Sequence, residues 1–297
     1  MNAQATSPIS RFISYQRQRF PLAPLLISLA PAVLSSGAIV IGAVPLPQLF
    51  AALIASVAYL LHIRIIDEHR DFEHDNEHYR SRPIQSGVIT REELRVADVF
   101  AIAVLVGIGI SFGAVATGVV AVMLLYSYLA GKEFMLGMRI RKHFFVYNGI
   151  NLVQMLLMQV LVYALFAGRI PLTTLVLLHF AFTSTGTVVF EFLRKLKIPG
   201  QDGTGEDTYT WHMGFTNALV SYVLLVMLNT LLFALIMRAL TVSWSLWLAL
   251  PLLALILAIA WACMHWTSRT KRTEQLMQAS FLLQYGLFNL AIYFVIM

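Results

Sequence analysis

The chain has 297 residues, of which 59% are hydrophobic and only 12% are charged, and its formal net charge is +6 at pH 7. A soluble domain is nearer one quarter charged, so this composition excludes an ordinary soluble protein and indicates a membrane protein. The basic residues form no stripe interleaved with aromatics, as nucleic-acid binding would favour. We therefore attribute the positive charge to membrane orientation and contact with membrane lipid.

Nine apolar stretches of about 17 to 25 residues each are long enough to cross a bilayer of roughly 30 Å. They run approximately over 22–43, 47–66, 96–114, 117–136, 144–166, 171–193, 213–237, 244–265 and 276–297. Because a chain in lipid must satisfy its own backbone hydrogen bonds, we expect each stretch to be a helix. The predicted fold is an all-α, polytopic membrane protein, a single domain over residues 1–297 with nine transmembrane helices around a central cavity.

Residues 1–20 are polar and precede the first apolar stretch. No short apolar run with a small-residue cleavage site follows them, so we expect a retained N-terminal segment rather than a signal peptide. Of the 21 lysines and arginines, all but Arg169 and Arg238 lie on or near the side that carries this segment. The positive-inside rule predicts that this side is cytoplasmic, in a protein of the cell (inner) membrane.

Two of the predicted cytoplasmic loops, residues 67–95 and 194–212, are longer than the others. They follow the second and the sixth helix, which predicts two four-helix halves, each with a working loop after its second helix, plus a ninth helix. Because membrane proteins often build their site at such a repeat interface, we interpret both as active-site loops. The short basic segments 138–143 and 266–275 are typical of ordinary topological determinants.

A cluster of carboxylates begins the first of these loops. On a helix, Asp67, Glu68, Asp71 and Asp75 would share one face within about 100°, with Arg64 one turn deeper on that face. Carboxylates this close repel one another, so we expect a cation among them, and their oxygens favour Mg²⁺. A solvated helix end is the alternative, but carboxylates that emerge from a membrane helix are usually functional.

Three histidines, His69, His74 and His78, lie in or beside this cluster. His74 and His78 have the i, i+4 spacing of many zinc and iron sites. The remaining histidines are isolated along the chain, whereas membrane di-iron oxygenases need several histidine boxes. We therefore favour interfacial histidines over a histidine metal site.

The chain continues beyond the cluster with Arg82-Pro83-Ile-Gln-Ser86-Gly87-Val-Ile-Thr90. Together the two segments resemble the first signature of the UbiA-type superfamily of intramembrane prenyltransferases, N-D-x-x-D-x-x-x-D followed by R-P-x-x-S-G. Asp71 and Asp75 occupy its second and third aspartate positions. Asp67 stands where the family usually has Asn, and Glu68 where it has the first Asp.

The resemblance implies a Mg²⁺-dependent enzyme that binds a prenyl diphosphate, with the nine-helix fold extending over the whole chain. The metal ligands it implies in the first motif are Asp67, Glu68, Asp71 and Asp75. Tyr128 and Lys132 resemble the family's Y-x-x-x-K element, in which the lysine reaches the diphosphate as a point charge. The alternative for Lys132 is snorkelling to the interface. The catalytic residues implied are Asp71, Asp75 and Lys132, with Arg82 as a further diphosphate-binding residue.

The second motif departs further from the family, which usually has D-x-x-D-x-x-x-D followed by G-x-x-T after the sixth helix. Gly205 and Thr208 match the tail, but none of the three aspartate positions is acidic. These positions hold Arg194, Lys197 and Gln201.

Three interpretations of this second motif remain open. Glu191, Asp202 and Glu206 could rebuild a metal site in another register. Alternatively, Arg194 and Lys195 bind the diphosphate directly. In the third interpretation, Glu191 and Lys195 form only an i, i+4 ion pair.

The function implied is ionisation of an allylic prenyl diphosphate and transfer of the prenyl group to a lipophilic acceptor, of aromatic or quinone type by resemblance. The first alternative is a terpene cyclase of the same superfamily that acts on a prenyl diphosphate. The second alternative is a membrane transporter or lipid-binding protein, against which the one-sided charge weighs.

Overall fold

The computed structural model describes residues 7–198, 206–240 and 249–297, and its regular structure within these ranges is entirely helical. The α-helices are α1 (Pro8–Arg19), α2 (Leu22–Ile41), α3 (Leu46–Arg70), α4 (Phe72–His78), α5 (Arg91–Ser111), α6 (Ala114–Gly131), α7 (Met138–Arg141), α8 (Phe144–Ala167), α9 (Thr174–Arg194), α10 (Tyr209–Met213), α11 (Phe215–Ala239), α12 (Ala249–Ser268) and α13 (Lys271–Ile296). Nine helices in the described ranges are long and apolar enough to cross a membrane: α2, α3, α5, α6, α8, α9, α11, α12 and α13. The predicted all-α, nine-helix membrane protein is thereby confirmed.

The segment predicted as the loop 67–95 is helical at both of its ends. Helix α3 continues to Arg70, so Asp67 and Glu68 lie in its last turn. Helix α5 begins at Arg91 because Thr90 and Glu93 form a capping box, in which each side chain accepts a hydrogen bond from the other residue's backbone N–H. Apart from the break at Asp71, the irregular part of this segment consists of the residues between α4 and α5.

The helices belong to two compact units. The first comprises the described residues up to Leu26 together with Phe50–Arg169, and the second comprises Ile27–Leu49 with the described residues from Ile170 onward. The first unit therefore contains four of the spanning helices, and the second contains α2 together with the last four. The sequence instead suggested two halves in chain order plus a ninth helix. The central cavity and the single domain over residues 1–297 stay predictions.

In the first unit, a buried polar group joins three spanning helices. His62 on α3 lies between Asp98 on α5, at 2.7 Å from Nδ1 to Oδ1, and Ser127 on α6, at 2.8 Å from Nε2 to Oγ. Helices α3 and α6 also approach closely at Gly131, where a Cβ atom would lie 2.8 Å from the Ile66 side chain. These contacts fix the helix that carries the acidic cluster against its neighbours.

The second unit has a comparable buried network. The Ser35 hydroxyl donates a hydrogen bond to Asn289 Oδ1 (2.7 Å) and lies 2.9 Å from His179 Nε2. On α9, Gly186 lets the ring of Tyr285 approach so closely that a Cβ atom would lie 2.3 Å from Cε2. Side-chain hydrogen bonds and a small residue thus hold α2, α9 and α13 together.

Candidate active site

The aspartates of the first motif lie on successive turns where α3 passes into α4. The helix is interrupted at Asp71, whose φ and ψ are −95° and 11°. The amide of Asp71 still donates to the Asp67 carbonyl (2.9 Å), and that of Asp75 donates to the Asp71 carbonyl (2.9 Å). The i, i+4 backbone pattern therefore persists through the break, and it keeps Asp67, Asp71 and Asp75 in one column.

Each of these aspartates forms an ion pair with an arginine. Arg70 Nη2 lies 2.8 Å from Asp67 Oδ1 and 3.1 Å from Asp71 Oδ2, and its Nε donates to Asp71 Oδ1 at 3.2 Å. Arg82 pairs with the buried Asp75 and lies over the Tyr79 ring, 3.8 Å from its centroid. The side chains of Asp67 and Asp71 are each 31% exposed. Arginine thus supplies the positive charge that the acidic cluster requires.

A second arginine reaches Asp71 from a distant part of the chain. Arg141 Nη2 donates to Asp71 Oδ1 at 3.2 Å, and its Nε also pairs with Glu133. Burial alone would raise the pKa of Asp71, but the hydrogen bond and charge of Arg70, with the charge of Arg141, lower it below its ordinary value. Asp71 is therefore held as a carboxylate at neutral pH.

The segment after α6 positions Glu133 for this contact. Glu133, Phe134 and Met135 form a 3₁₀ turn in which φ is 51°, 53° and 60°, the left-handed region that residues with a side chain rarely adopt. Lys132, immediately before the turn, is exposed and has no ion-pair partner within the described part of the chain. Tyr128, one turn earlier on α6, is also exposed. The lysine is free to contact an anionic ligand.

Glu68 has different arginine partners from those of the aspartate column. Its Oε1 accepts hydrogen bonds from Arg19 Nε (2.8 Å) on α1 and from Arg64 Nη2 (2.7 Å) one turn earlier on α3. Only 2% of Glu68 is exposed. Glu68 thus pairs with other arginines than the three aspartates with which the sequence grouped it.

In the second unit, the end of α9 carries an ion-paired group. Arg194 binds Glu191 through two hydrogen bonds, Nε to Oε2 at 2.8 Å and Nη2 to Oε1 at 2.7 Å. Lys195 Nζ lies 3.2 Å from the same Oε1. Two cations thus surround one carboxylate, which leaves the group with a formal charge of +1. This is the arrangement expected of the ion-pair interpretation.

The chain beyond α9 folds back onto this helix end. The amide of Tyr209 donates to the Lys195 carbonyl at 3.1 Å, and the Tyr209 ring stacks on Phe192 with 4.1 Å between centroids. Burial raises the pKa of Tyr209 to about 12, and the negative charge of Glu191 adds to this. Glu206 is exposed, and Asp202 lies outside the described residues.

The aspartates and histidines of the site are residue types that bind metal ions, but in the structure they contact other side chains. Within residues 7–198, 206–240 and 249–297, no three histidine, cysteine or carboxylate side chains already converge as a metal site. The aspartate oxygens bind arginines, although as hard donors they would suit a divalent cation. His74 and His78 stack at 4.4 Å between ring centroids, and no third ligand joins them in this part of the chain.

Sequence reasoning missed Arg70 and Arg141. Arg70 could have been found, because it lies three residues after Asp67 and next to Asp71. Arg141 lies 70 residues from Asp71 along the chain, in a segment interpreted only as a topological determinant. No spacing signal indicates that contact.

A family model, the UbiA prenyltransferase family, matches residues 28–283 of the sequence. The chain belongs to this family. The match agrees with the resemblance of the first motif, and it includes the aspartate column, Lys132 and the end of α9. Among curated proteins, no sequence matches the chain significantly.

Solved UbiA structures share its fold. A digeranylgeranylglyceryl phosphate synthase structure is 16% identical, with a TM-score of 0.64, and covers 98% of this chain and 99% of its own. An apo UbiA homologue from Aeropyrum pernix K1 is 14% identical, with a TM-score of 0.65, over 90% and 97% of the two chains. A homologue from Archaeoglobus fulgidus, bound to DMAPP and Mg²⁺, is 17% identical, with a TM-score of 0.53, over 95% and 98%.

Proposed function

We propose that this protein is an intramembrane prenyltransferase, which ionises an allylic prenyl diphosphate and transfers the prenyl group to a lipophilic acceptor of aromatic or quinone type. The observation that carries the proposal is the column of three aspartates on successive turns, each paired with an arginine. Membership of the UbiA prenyltransferase family supports it. So do the Archaeoglobus fulgidus homologue structures, which hold DMAPP or GPP together with Mg²⁺.

The residues of the column fit Mg²⁺ by their chemistry. Carboxylate oxygens are the ligands that Mg²⁺ prefers, and Mg²⁺ in proteins is usually shared between one or two carboxylates and substrate phosphates. The arginines fit the diphosphate, and Arg70 Nη1 is a buried donor without a hydrogen-bond partner in the described part of the chain. We assign Mg²⁺ binding to Asp67, Asp71 and Asp75. Bound there with the substrate, Mg²⁺ would neutralise charge on the diphosphate leaving group.

The basic residues of the site would bind and orient the diphosphate. Arg70 and Arg141 already contact Asp71, so a diphosphate beside this carboxylate would lie within their reach. The exposed Lys132 would add a point charge, and Arg82 would contribute from beside Asp75. As the allylic C–O bond breaks, its electron pair leaves with the diphosphate. The acceptor then forms the new C–C bond and releases a proton.

For the second unit we propose a basic role rather than a second metal site. Glu191 is already paired with both Arg194 and Lys195, and the group has a net positive charge. Glu191 would hold both cations in place for contact with the diphosphate. Ligation of a metal by Asp202 or Glu206 is the alternative, and an Asp202→Asn variant with unchanged Mg²⁺ dependence would argue against it for that residue.

We also propose that the N-terminal side of the protein and both working loops are cytoplasmic, in the inner cell membrane. The excess of lysine and arginine on that side supports this orientation. Accessibility of a cysteine introduced at Ser81, in the first loop, to an impermeant thiol reagent in sealed vesicles would test it, with Cys263 replaced by serine.

The deciding experiment follows pyrophosphate release from C10 to C20 prenyl diphosphates by the purified protein with Mg²⁺. Release only when a lipid extract supplies an acceptor supports prenyl transfer. Release without acceptor, with a hydrocarbon or alcohol as product, supports a terpene cyclase instead. A folded protein that releases no pyrophosphate from any of these substrates would exclude both, and would leave the transporter or lipid-binding alternative.

A further inference from the structure

We propose that Glu68 anchors helix α1 to the end of α3 and is not a ligand of the metal, so that α1 is a positioning element of the active site. The metal part of this inference rests on the proposed function, whereas the anchoring does not. Glu68 stands at the first acidic position of the motif. Helix α1 lies outside residues 28–283, which match the family model.

The contacts of Glu68 are directed to α1 rather than to the aspartate column. Its Oε1 accepts from Arg19 of α1 (2.8 Å) and from Arg64 on α3 itself (2.7 Å), so one carboxylate is paired with two guanidinium groups. Adjacent positions on a helix differ by about 100°. Asp67 pairs with Arg70, whereas Glu68, at the adjacent helix position, pairs with Arg19 of α1.

Two further contacts dock α1 independently of Glu68. Tyr15 is 0% exposed and belongs to a buried cluster formed with Ile65, Ile84, Ile89 and Leu94. Near the start of α1, Arg11 Nε donates to Glu93 Oε1 at 3.0 Å. The helix is thus held at its beginning, its middle and its end, and the last of these contacts is the one with Glu68.

The contact between Arg19 and Glu68 is largely shielded from water, which favours keeping the two charges paired. Burial lowers the pKa of Arg19, as does the neighbouring charge of Arg64, while Glu68 opposes both effects. Arg19 is therefore partly desolvated, and the Glu68 carboxylate is its ion-pair partner. A metal ion that took Glu68 would leave two partly buried guanidinium groups, 20% and 21% exposed, without their counter-ion, which is unfavourable.

The position of this anchor gives it a role in the site. Glu68 lies between Asp67 and Arg70 in the last turn of α3, so the α1 contact restrains the backbone that presents Asp67 and Asp71. Arg19 and Glu68 are therefore positioning residues, which act on the site through this turn. Loss of either partner should have a similar consequence, because each removes the contact between Arg19 and Glu68.

The anchoring is tested by hydrogen exchange in the full-length protein in detergent, without substrate. We expect Glu68→Gln and Arg19→Gln each to accelerate exchange of the Phe12–Arg19 amides by roughly tenfold or more. Arg19→Lys keeps the charge and should restore most of the protection. The matched control is Arg17→Gln, because Arg17 is an exposed arginine of the same helix. Unchanged exchange in both Gln variants would overturn the anchoring.

Metal ligation is tested by Mn²⁺ binding, followed by electron paramagnetic resonance in the presence of inorganic pyrophosphate. We expect Asp71→Asn to weaken binding at least tenfold, whereas Glu68→Gln and Arg19→Gln should weaken it to the same small extent, within about twofold of each other. A loss in Glu68→Gln that matches Asp71→Asn, with Arg19→Gln unaffected, would make Glu68 a ligand. If the unaltered protein binds no Mn²⁺, the proposed function fails, and hydrogen exchange still decides the anchoring.

Discussion

Replacement of Arg70 by glutamine should destabilise the protein, and Mg²⁺ should reverse part of the loss. Arg70 contacts Asp67 and Asp71 at once, and its side chain is only 9% exposed. Removal of one partner from a fully buried ion pair costs about 3–5 kcal/mol. Because both aspartate side chains are 31% exposed, solvent would screen part of this loss, which leaves about 2 kcal/mol.

The assay is thermal unfolding in detergent, followed by tryptophan fluorescence, with EDTA or with saturating Mg²⁺. A loss of about 2 kcal/mol corresponds to a fall in Tm of about 5 °C for a chain of this size. Without Arg70 only Arg141 still pairs with Asp71, so the repulsion between the two carboxylates increases, and Mg²⁺ should raise the Tm of the variant more than that of the unaltered protein.

The matched control is Arg80→Gln, because Arg80 is exposed and its side chain contacts the backbone of Asn76 rather than a carboxylate. This variant should unfold at the same temperature as the unaltered protein. If Arg70→Gln left Tm unchanged in EDTA, or if Arg80→Gln lowered it equally, the interpretation of Arg70 as the counter-ion of the aspartate column would be wrong.

Three other predictions follow from particular residues. Because the folded protein lowers the pKa of Asp71, ionised Asp71 contributes stability that is complete above the ordinary aspartate pKa of about 4 and is lost as the pH falls below it. Tm measured from about pH 3 to pH 6 should therefore depend less on acid in Asp71→Asn than in the unaltered protein. Lys132→Ala should raise KM for the prenyl diphosphate roughly tenfold, since one charge-assisted contact is lost, while Tm stays constant because the side chain is exposed. Gly186→Ala should lower Tm, because its Cβ would lie 2.3 Å from the Tyr285 ring, at a cost of about 1–3 kcal/mol. The control Gly149→Ala should leave Tm unchanged, because its Cβ would meet nothing within 4 Å. Equal Tm values in these two variants would contradict the close packing of α9 on α13.

Hydropathy was sufficient to predict the nine spanning helices found among the described residues, because a membrane imposes length and apolarity on each span separately. It contains no information on which helices are neighbours. The grouping into chain-order halves was therefore not reproduced, since α2 belongs to the same compact unit as the last four spanning helices. Neighbours are selected by contacts such as that between Ser35 and Asn289, which join positions far apart in the sequence.

In the site, as in the fold, the local spacing could be predicted from the sequence, whereas the contacts between distant residues could not. The i, i+4 spacing predicted the aspartate column because helical geometry is local, and the backbone bonds keep that spacing through the break at Asp71. The helical projection also placed Glu68 about 100° away from Asp67, but it could not tell that α1 lies on that side. Arg141 contacts both Asp71 and Glu133, and Glu133 lies in a left-handed turn. The residue types of Glu133–Met135 do not predict this conformation.

The most direct test of the central claim compares pyrophosphate release by the unaltered protein and by Asp71→Asn. The substrates are C10 to C20 prenyl diphosphates, supplied with a lipid extract and either Mg²⁺ or EDTA. We expect Mg²⁺-dependent release by the unaltered protein, none in EDTA, and a loss of at least tenfold in Asp71→Asn even at saturating Mg²⁺. Equal release by the two proteins, or release by the unaltered protein that persists in EDTA, would contradict the assignment of diphosphate ionisation to the aspartate column.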